Sequence, residues 1–159
     1  SRVEVEMDKP NFNWRGHAYM DSNEGDEPVE NGFQDWDWAR AEMANGDTSV
    51  VYDVRPKRGP DRVVAQRFSP DGSYTAFTAP ARHNLPSSGW RLSRGMCSES
   101  SQAPEVLSTL EDTPFYVRSL LRTQLLGENV TAVHESLDIP RLVSLPVRFM
   151  LPFRMPRRA

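Results

Sequence analysis

Along most of this chain hydrophobic and polar residues alternate with a period of two, the spacing of a strand that buries one face. Arg2 to Met7 sets Val3, Val5 and Met7 on one side, and Pro10 ends the run. Asn11 to Met20 alternates again, with Phe12, Trp14, Gly16, Ala18 and Met20 facing one way and Asn13, Arg15, His17 and Tyr19, followed by Asp21, facing the other. The acids, Gly25, Pro28 and Gly32 of residues 21–33 predict a loop. Trp36 to Ala44 has mixed character, but Trp36 and Trp38 share a face at strand spacing and predict a strand. Thr48 to Arg55 is β-branched and aromatic. Arg62 to Phe68 and Tyr74 to Thr78 flank an Asp71-Gly72 pair, a strong hairpin signal.

Further on, Pro80 to Gly89 predicts a loop, Trp90 to Met96 a short strand, Cys97 to Pro104 a polar loop and Glu105 to Leu110 another strand. Phe115 to Leu126 and Val130 to Leu137 predict two long strands joined by a turn at Gly127-Glu128-Asn129, and Pro140 onward a final, proline-interrupted strand. About nine short strands without a long amphipathic helix predict an all-β, antiparallel sandwich or barrel. A barrel is the preferred expectation, because closure removes sheet edges and eight or more strands can enclose a small apolar ligand.

At 159 residues the chain is expected to form one domain with a real core. No apolar run approaches the roughly 18 residues of a membrane span. The opening SRVEVEMDKP has no signal-peptide h-region and no initiator Met, so the chain is expected to be either trimmed at its start or the C-terminal part of a longer protein. Cys97 stands alone, which excludes an internal disulfide and a cysteine-cluster zinc site. The net charge of −3 hides an asymmetry: residues 1–61 hold 14 acids and 7 bases, and residues 62–159 hold 8 and 12. After Asp138 come five arginines and no acid, interleaved with apolar residues, an end expected to touch anionic lipid or simply to be solvated. Scattered arginines and an acidic first third argue against a nucleic-acid groove.

Candidate chemistry concentrates between His17 and Arg40. Seven carboxylates (Asp21, Glu24, Asp26, Glu27, Glu30, Asp35 and Asp37) lie there beside His17, Tyr19, Trp36 and Trp38. On a continuous strand His17, Tyr19 and Asp21 would share a face, about 7 Å between alternate residues. Asp21 could equally open an Asx-turn, and His17, Asp21 and Glu24 lack a recognisable metal-ligand spacing.

The blocks GHAYMDSNEGDEP, GFQDWDWARA, TLEDTPFYVRS, AVHESLDIPR and LPFRMPR, in this order from about Val3 to Arg157, resemble the carotenoid 1,2-hydratase family, also called hydroxyneurosporene synthase. The resemblance implies a lipocalin-like (calycin-type) β-barrel, with residues 1–159 the C-terminal module of a longer bacterial two-barrel protein. It also implies addition of water to the terminal double bond of an acyclic carotenoid such as neurosporene or lycopene, without a cofactor. A non-catalytic polyene-binding module and a pericyclase-like relative are the alternatives. The expected partners are the hydrophobic substrate, the N-terminal barrel of the same protein and, peripherally, the membrane; the expected location is the cytoplasm or the membrane surface.

Hydration of an isoprenoid end begins with protonation of a weakly basic alkene. That step asks for an acid kept protonated near neutral pH, which burial and a neighbouring carboxylate together provide. Asp21 is the first candidate for that acid, with Glu24 and Asp26 next. Trp36, Trp38, Tyr19 and Tyr116 are candidates to face the cation. His17, His134 and Glu135 are candidates to take the proton of the incoming water. His134 and Glu135 are adjacent, so at most one of them faces a cavity, and Arg118, on the Tyr116 face of its strand, is expected to pair with Glu111, Asp112 or Glu135.

Overall fold

The computed structural model describes residues 2–20, 22 and 24–153. Asp21 and the arginine-rich residues 154–158 therefore lie outside the described residues. The first hairpin joins β1 (Arg2–Asp8) to β2 (Asn11–His17) as a separate two-stranded sheet. A short helix, α1 (Val29–Gly32), leads into β3 (Phe33–Glu42), β4 (Thr48–Pro56), β5 (Arg62–Phe68) and β6 (Tyr74–Ala76). Two short strands, β7 (Arg82–Asn84) and β8 (Gly95–Cys97), pair with each other. Then β9 (Glu105–Asp112), β10 (Tyr116–Leu125) and β11 (Glu128–Asp138) precede helices α2 (Ile139–Leu142) and α3 (Leu145–Met150).

Seven strands form one antiparallel sheet in the order β6-β5-β4-β3-β11-β10-β9. The outer strands β6 and β9 are the two edges, so the described sheet is open and the fold is all-β and antiparallel. Two meanders, β3 to β6 and β9 to β11, meet where β3 pairs with β11. Turn chemistry sets both long hairpins. Leu126 and Gly127 take φ of 52° and 79° between β10 and β11, a two-residue connection whose twist suits the flanking strands. Glu99 secures it, its carboxylate accepting from the Leu126 and Gly127 amides at 3.0 and 2.7 Å. Gly72 takes φ of 88° in the β5–β6 turn, where the Asp71 carboxylate accepts from the Ser73 amide and hydroxyl.

Alternation decides what is buried. Ala39 and Ala41 of β3, Val51 of β4, Ala65 of β5, Leu121 and Leu125 of β10 and Ala132 of β11 point to one face. That face is covered by the segment carrying β7 and β8 through Leu85, Met96 and Cys97. Small residues on the central strands let this second layer approach closely.

Four expectations are corrected. The strand expected from Asn11 to Met20 stops at His17, so Tyr19 lies beyond it. The strand expected at Trp90 to Met96 is mostly loop, with β8 at its end pairing across to β7 inside the expected loop 80–89. The loop 21–33 ends in α1. The final strand is replaced by α2 and α3: Asp138 caps α2, its carboxylate accepting from the Arg141 amide at 2.9 Å, and Pro140 and Pro146 occupy first-turn positions where their missing N–H costs nothing.

Candidate functional site

The sequence-chosen residues divide between the two faces of the sheet. Register aligns Tyr52, Trp38, Glu135 and Arg118 in one row across β4, β3, β11 and β10. The next row aligns Val54, Trp36, Leu137 and Tyr116. Trp36, Trp38, Tyr116, Arg118 and Glu135 thus share the face opposite the core. Trp36 meets Phe33 and Tyr52 edge-on, with centroids 5.9 and 6.0 Å apart. Tyr19 reaches this face from beyond β2: its ring lies 5.5 Å from that of Trp38, and the Arg40 guanidinium stands 4.7 Å over it. Ring faces and one cation are therefore gathered where the chain arrives from the acidic segment.

A polar group is set into the same face. Arg118 Nε donates to Glu135 Oε1 at 2.8 Å, and its guanidinium lies 5.7 Å from the Tyr116 ring centroid. Burial pushes the Tyr116 phenol pKa up, and the negative charge of Glu135 adds to the shift, so Tyr116 stays a neutral hydroxyl. Of the three acids expected for Arg118, Glu135 is the one it pairs with.

His134 points the other way and is fully buried. Its Nε2–H donates to the Gly95 carbonyl at 2.8 Å and lies 3.8 Å from Asp37 Oδ1, while buried Nδ1 has no partner. Desolvation lowers its pKa, outweighing the field of Asp37 and the Gly95 bond, so the ring is neutral.

Around it runs a buried ionic network. Asp37 Oδ2 accepts from Arg55 Nη2 at 2.9 Å and Arg82 Nη2 at 2.8 Å, and Ser136 donates a short hydrogen bond to Oδ1. Asp53 Oδ2 accepts from Arg82 Nε at 3.0 Å and pairs with Arg55 Nη1 at 3.1 Å. Asp35 accepts from Arg55 Nε. Burial opposes the charge on Arg55, but Asp35, Asp37 and Asp53 outweigh it and raise its pKa. Buried Arg94 donates to Ser119 Oγ at 2.8 Å and the Pro86 carbonyl at 2.6 Å. Cys97, at the edge of this network, has its thiol pushed up to about 11, mainly by burial, and is an inert core residue.

This network was not singled out from the sequence, although one signal pointed to it: Asp35 and Asp37 alternate with Trp36 and Trp38, in phase with Ala39 and Ala41. Its partners Arg82 and Ser136 are 45 and 99 residues away from Asp37 in the chain.

The remaining candidates are exposed. His17 ends β2 with Nδ1 3.9 Å from Glu42 Oε2 and most of its side chain in solvent. Glu24 and Asp26 are exposed as well, and Met20 is 92% exposed. Among the described residues, this segment therefore has no apolar cover of the kind an alkene-protonating acid needs. A cleft of about 930 Å³ opens elsewhere, between Glu27, Asn31 and Phe33 on one side and Lys57, Arg58 and Arg62 on the other. Charge of both signs lines it, unlike a polyene pocket.

Comparison with known proteins decides the lineage of this arrangement. The family model described as carotenoid hydratase CrtC matches residues 1–159. The chain belongs to the carotenoid hydratase family. It is 58% identical over 159 residues to the acyclic carotenoid 1,2-hydratase of Rubrivivax gelatinosus and 50% identical over 158 residues to that of Thiocapsa roseopersicina. These alignments cover 100% and 99% of the chain but 39% of each relative. The acyclic carotenoid 1,2-hydratase of Cereibacter sphaeroides is 30% identical over 158 residues, 99% of the chain and 56% of that protein. The chain thus spans about two fifths to somewhat over half of the length of these hydratases. No solved structure is similar enough to count as a match. No helix among the described residues is long and apolar enough to cross a membrane.

Proposed function

We propose that residues 1–159 are the C-terminal module of an acyclic carotenoid 1,2-hydratase, a hydro-lyase acting on the terminal 1,2 double bond of substrates such as neurosporene or lycopene. The open sheet is read as the wall of a lipocalin-like barrel, and a second barrel precedes it in the whole protein. Since the substrate resides in lipid, the proposal includes peripheral contact with a membrane.

The observation that carries this reading is the aromatic face, on which Tyr19 packs against Trp38 two residues before Asp21. In the proposed reaction Asp21 gives its proton to C2 of the alkene and leaves a tertiary cation at C1. Trp38, Trp36 and Tyr19 offer ring faces to that cation. Water adds at C1, and its surplus proton passes to Glu135, which lies on the same face, whereas His134 is committed to the Gly95 carbonyl. The product is a tertiary alcohol, and proton return through solvent restores Asp21. Glu24, close in sequence, is an alternate for the acid in the same segment, and His17 lies at the entry to that segment. No step requires a cofactor.

The test is Asp21→Asn in the full-length protein, with product formation and carotenoid binding measured side by side. The expected result is at least a ~100-fold loss of product with binding retained. Unchanged turnover would remove Asp21 from the acid's role.

A further inference from the structure

The β1–β2 hairpin is cleanly two-faced. Cross-strand pairs Val3–Gly16, Val5–Trp14 and Met7–Phe12 make one face apolar. Glu4–Arg15 and Glu6–Asn13 make the other polar, with Arg15 Nε donating to Glu4 Oε1 at 2.7 Å. The Trp14 indole folds over Gly16, where a methyl group would stand 3.2 Å from the ring. This apolar face is left open: Phe12 is 56% exposed, and Met7 and Trp14 are each 41% exposed.

The hairpin strands pack against each other and make at most marginal contact with any other strand or helix. A lone two-stranded hairpin is marginal in water, and an aromatic apolar patch of this kind marks a contact surface. Met20, three residues past β2, adds to the same uncovered stretch.

We infer that the apolar face of β1–β2 docks against the part of the hydratase polypeptide outside residues 1–159, so that this hairpin is the seam between the modules. The inference rests on the reading of these residues as one module of a longer hydratase. What favours this occupant is length and continuity. The relatives at 58% and 50% identity carry about three fifths of their chain beyond the matched region, since the match covers 39% of each. The hairpin also runs directly into the segment holding Met20, Glu24 and Asp26, which are exposed among the described residues. Docking would bury both together.

The experiment uses the full-length hydratase with the photoreactive residue p-benzoylphenylalanine placed at Phe12 or, as the polar-face control, at Glu6. After irradiation, cross-linked peptides are mapped by mass spectrometry. The expected result is intramolecular cross-links from position 12 to peptides outside residues 1–159, at least several-fold more abundant than from position 6. Cross-links confined to residues 1–159, cross-links between two copies, or cross-links only to added phosphatidylglycerol vesicles would each overturn the inference. Trp14→Lys in the same protein should raise amide exchange in β1–β2 and in the outside peptides together; a rise limited to β1–β2 would count against the seam. None of these readouts needs turnover, and the intact mass of the native polypeptide reports separately whether these residues are part of a longer chain.

Discussion

Asp37 sits where β3 faces the β7–β8 layer and is only 4% exposed, yet it accepts from two arginines and a serine. A buried charge of this kind is tolerated because each partner satisfies the others, and removing one member strands the rest. Replacing Asp37 with Ala leaves the Arg55 and Arg82 guanidinium groups facing each other across Asp53. Urea unfolding should show a loss of about 3–5 kcal/mol; a loss under about 1 kcal/mol would mean that the network contributes little. His134 gives a pH signature. Its folded pKa is depressed below 6.5 by burial, so over the interval between that pKa and 6.5 the unfolded chain binds more protons than the folded one. Stability is therefore full above about pH 6.5 and falls as the pH drops through that region. The charged groups facing the ring are Asp37, Arg82 and Arg94. Unfolding free energies between about pH 7.5 and 5.5 should fall on acidification in the native protein, with a shallower slope in His134→Gln; equal slopes would contradict the assignment.

Gly95 decides how β7–β8 seats on the sheet. A methyl group there would overlap the Arg82 guanidinium, which lies flat on the glycine while bridging Asp37 and Asp53. Gly95→Ala should displace Arg82, and faster amide exchange in β7 and β8, with β3, β4 and β11 unchanged, is the measurable result. At this scale the sequence was readable wherever one periodicity ruled. Tyr116 to Leu125 and Glu128 to Asp138 alternate without interruption and pair as expected, with the turn moved one residue earlier because Leu126 and Gly127 both take positive φ. It misled where apolar residues hid a cap. Residues from Pro140 onward read as an interrupted strand, but Asp138 before Ile139-Pro140 and Ser144 before Leu145-Pro146 stand at helix starts, and the Asp138 cap and the two first-turn prolines outweigh the β-branched content. The β7 and β8 pair carried no local signal, since three-residue strands are held by tertiary contacts rather than by pattern.

Across the whole molecule, the sheet separates two kinds of chemistry that the sequence interleaves residue by residue. Even-numbered Trp36 and Trp38 face the aromatic side with Tyr52, Tyr116 and Glu135, and odd-numbered Asp35 and Asp37 face inward to Arg55 and Arg82. That Trp36 and Trp38 share one strand face, as Tyr116 and Arg118 do on theirs, followed from period two. The ionic network did not, because it needs β3 beside β11, strands from opposite ends of the domain, and an arginine supplied by the covering layer. The strand expected to carry His17 and Tyr19 on one face ends at His17, and Asp21 lies outside the described residues, yet Tyr19 still arrives at the aromatic side through its contact with Trp38. The basic tail invoked for lipid contact falls in residues 154–158, outside the described residues.

The proposed chemistry is tested most directly by the origin of the added atoms. Full-length enzyme should be supplied with lycopene in water enriched in both deuterium and heavy oxygen, and the product examined by mass spectrometry and proton NMR. Protonation followed by capture of a cation predicts one heavy oxygen in the tertiary alcohol and one non-exchangeable deuterium on the adjacent carbon. An oxygen drawn from dissolved dioxygen, or an alcohol without that deuterium, would contradict acid-initiated hydration.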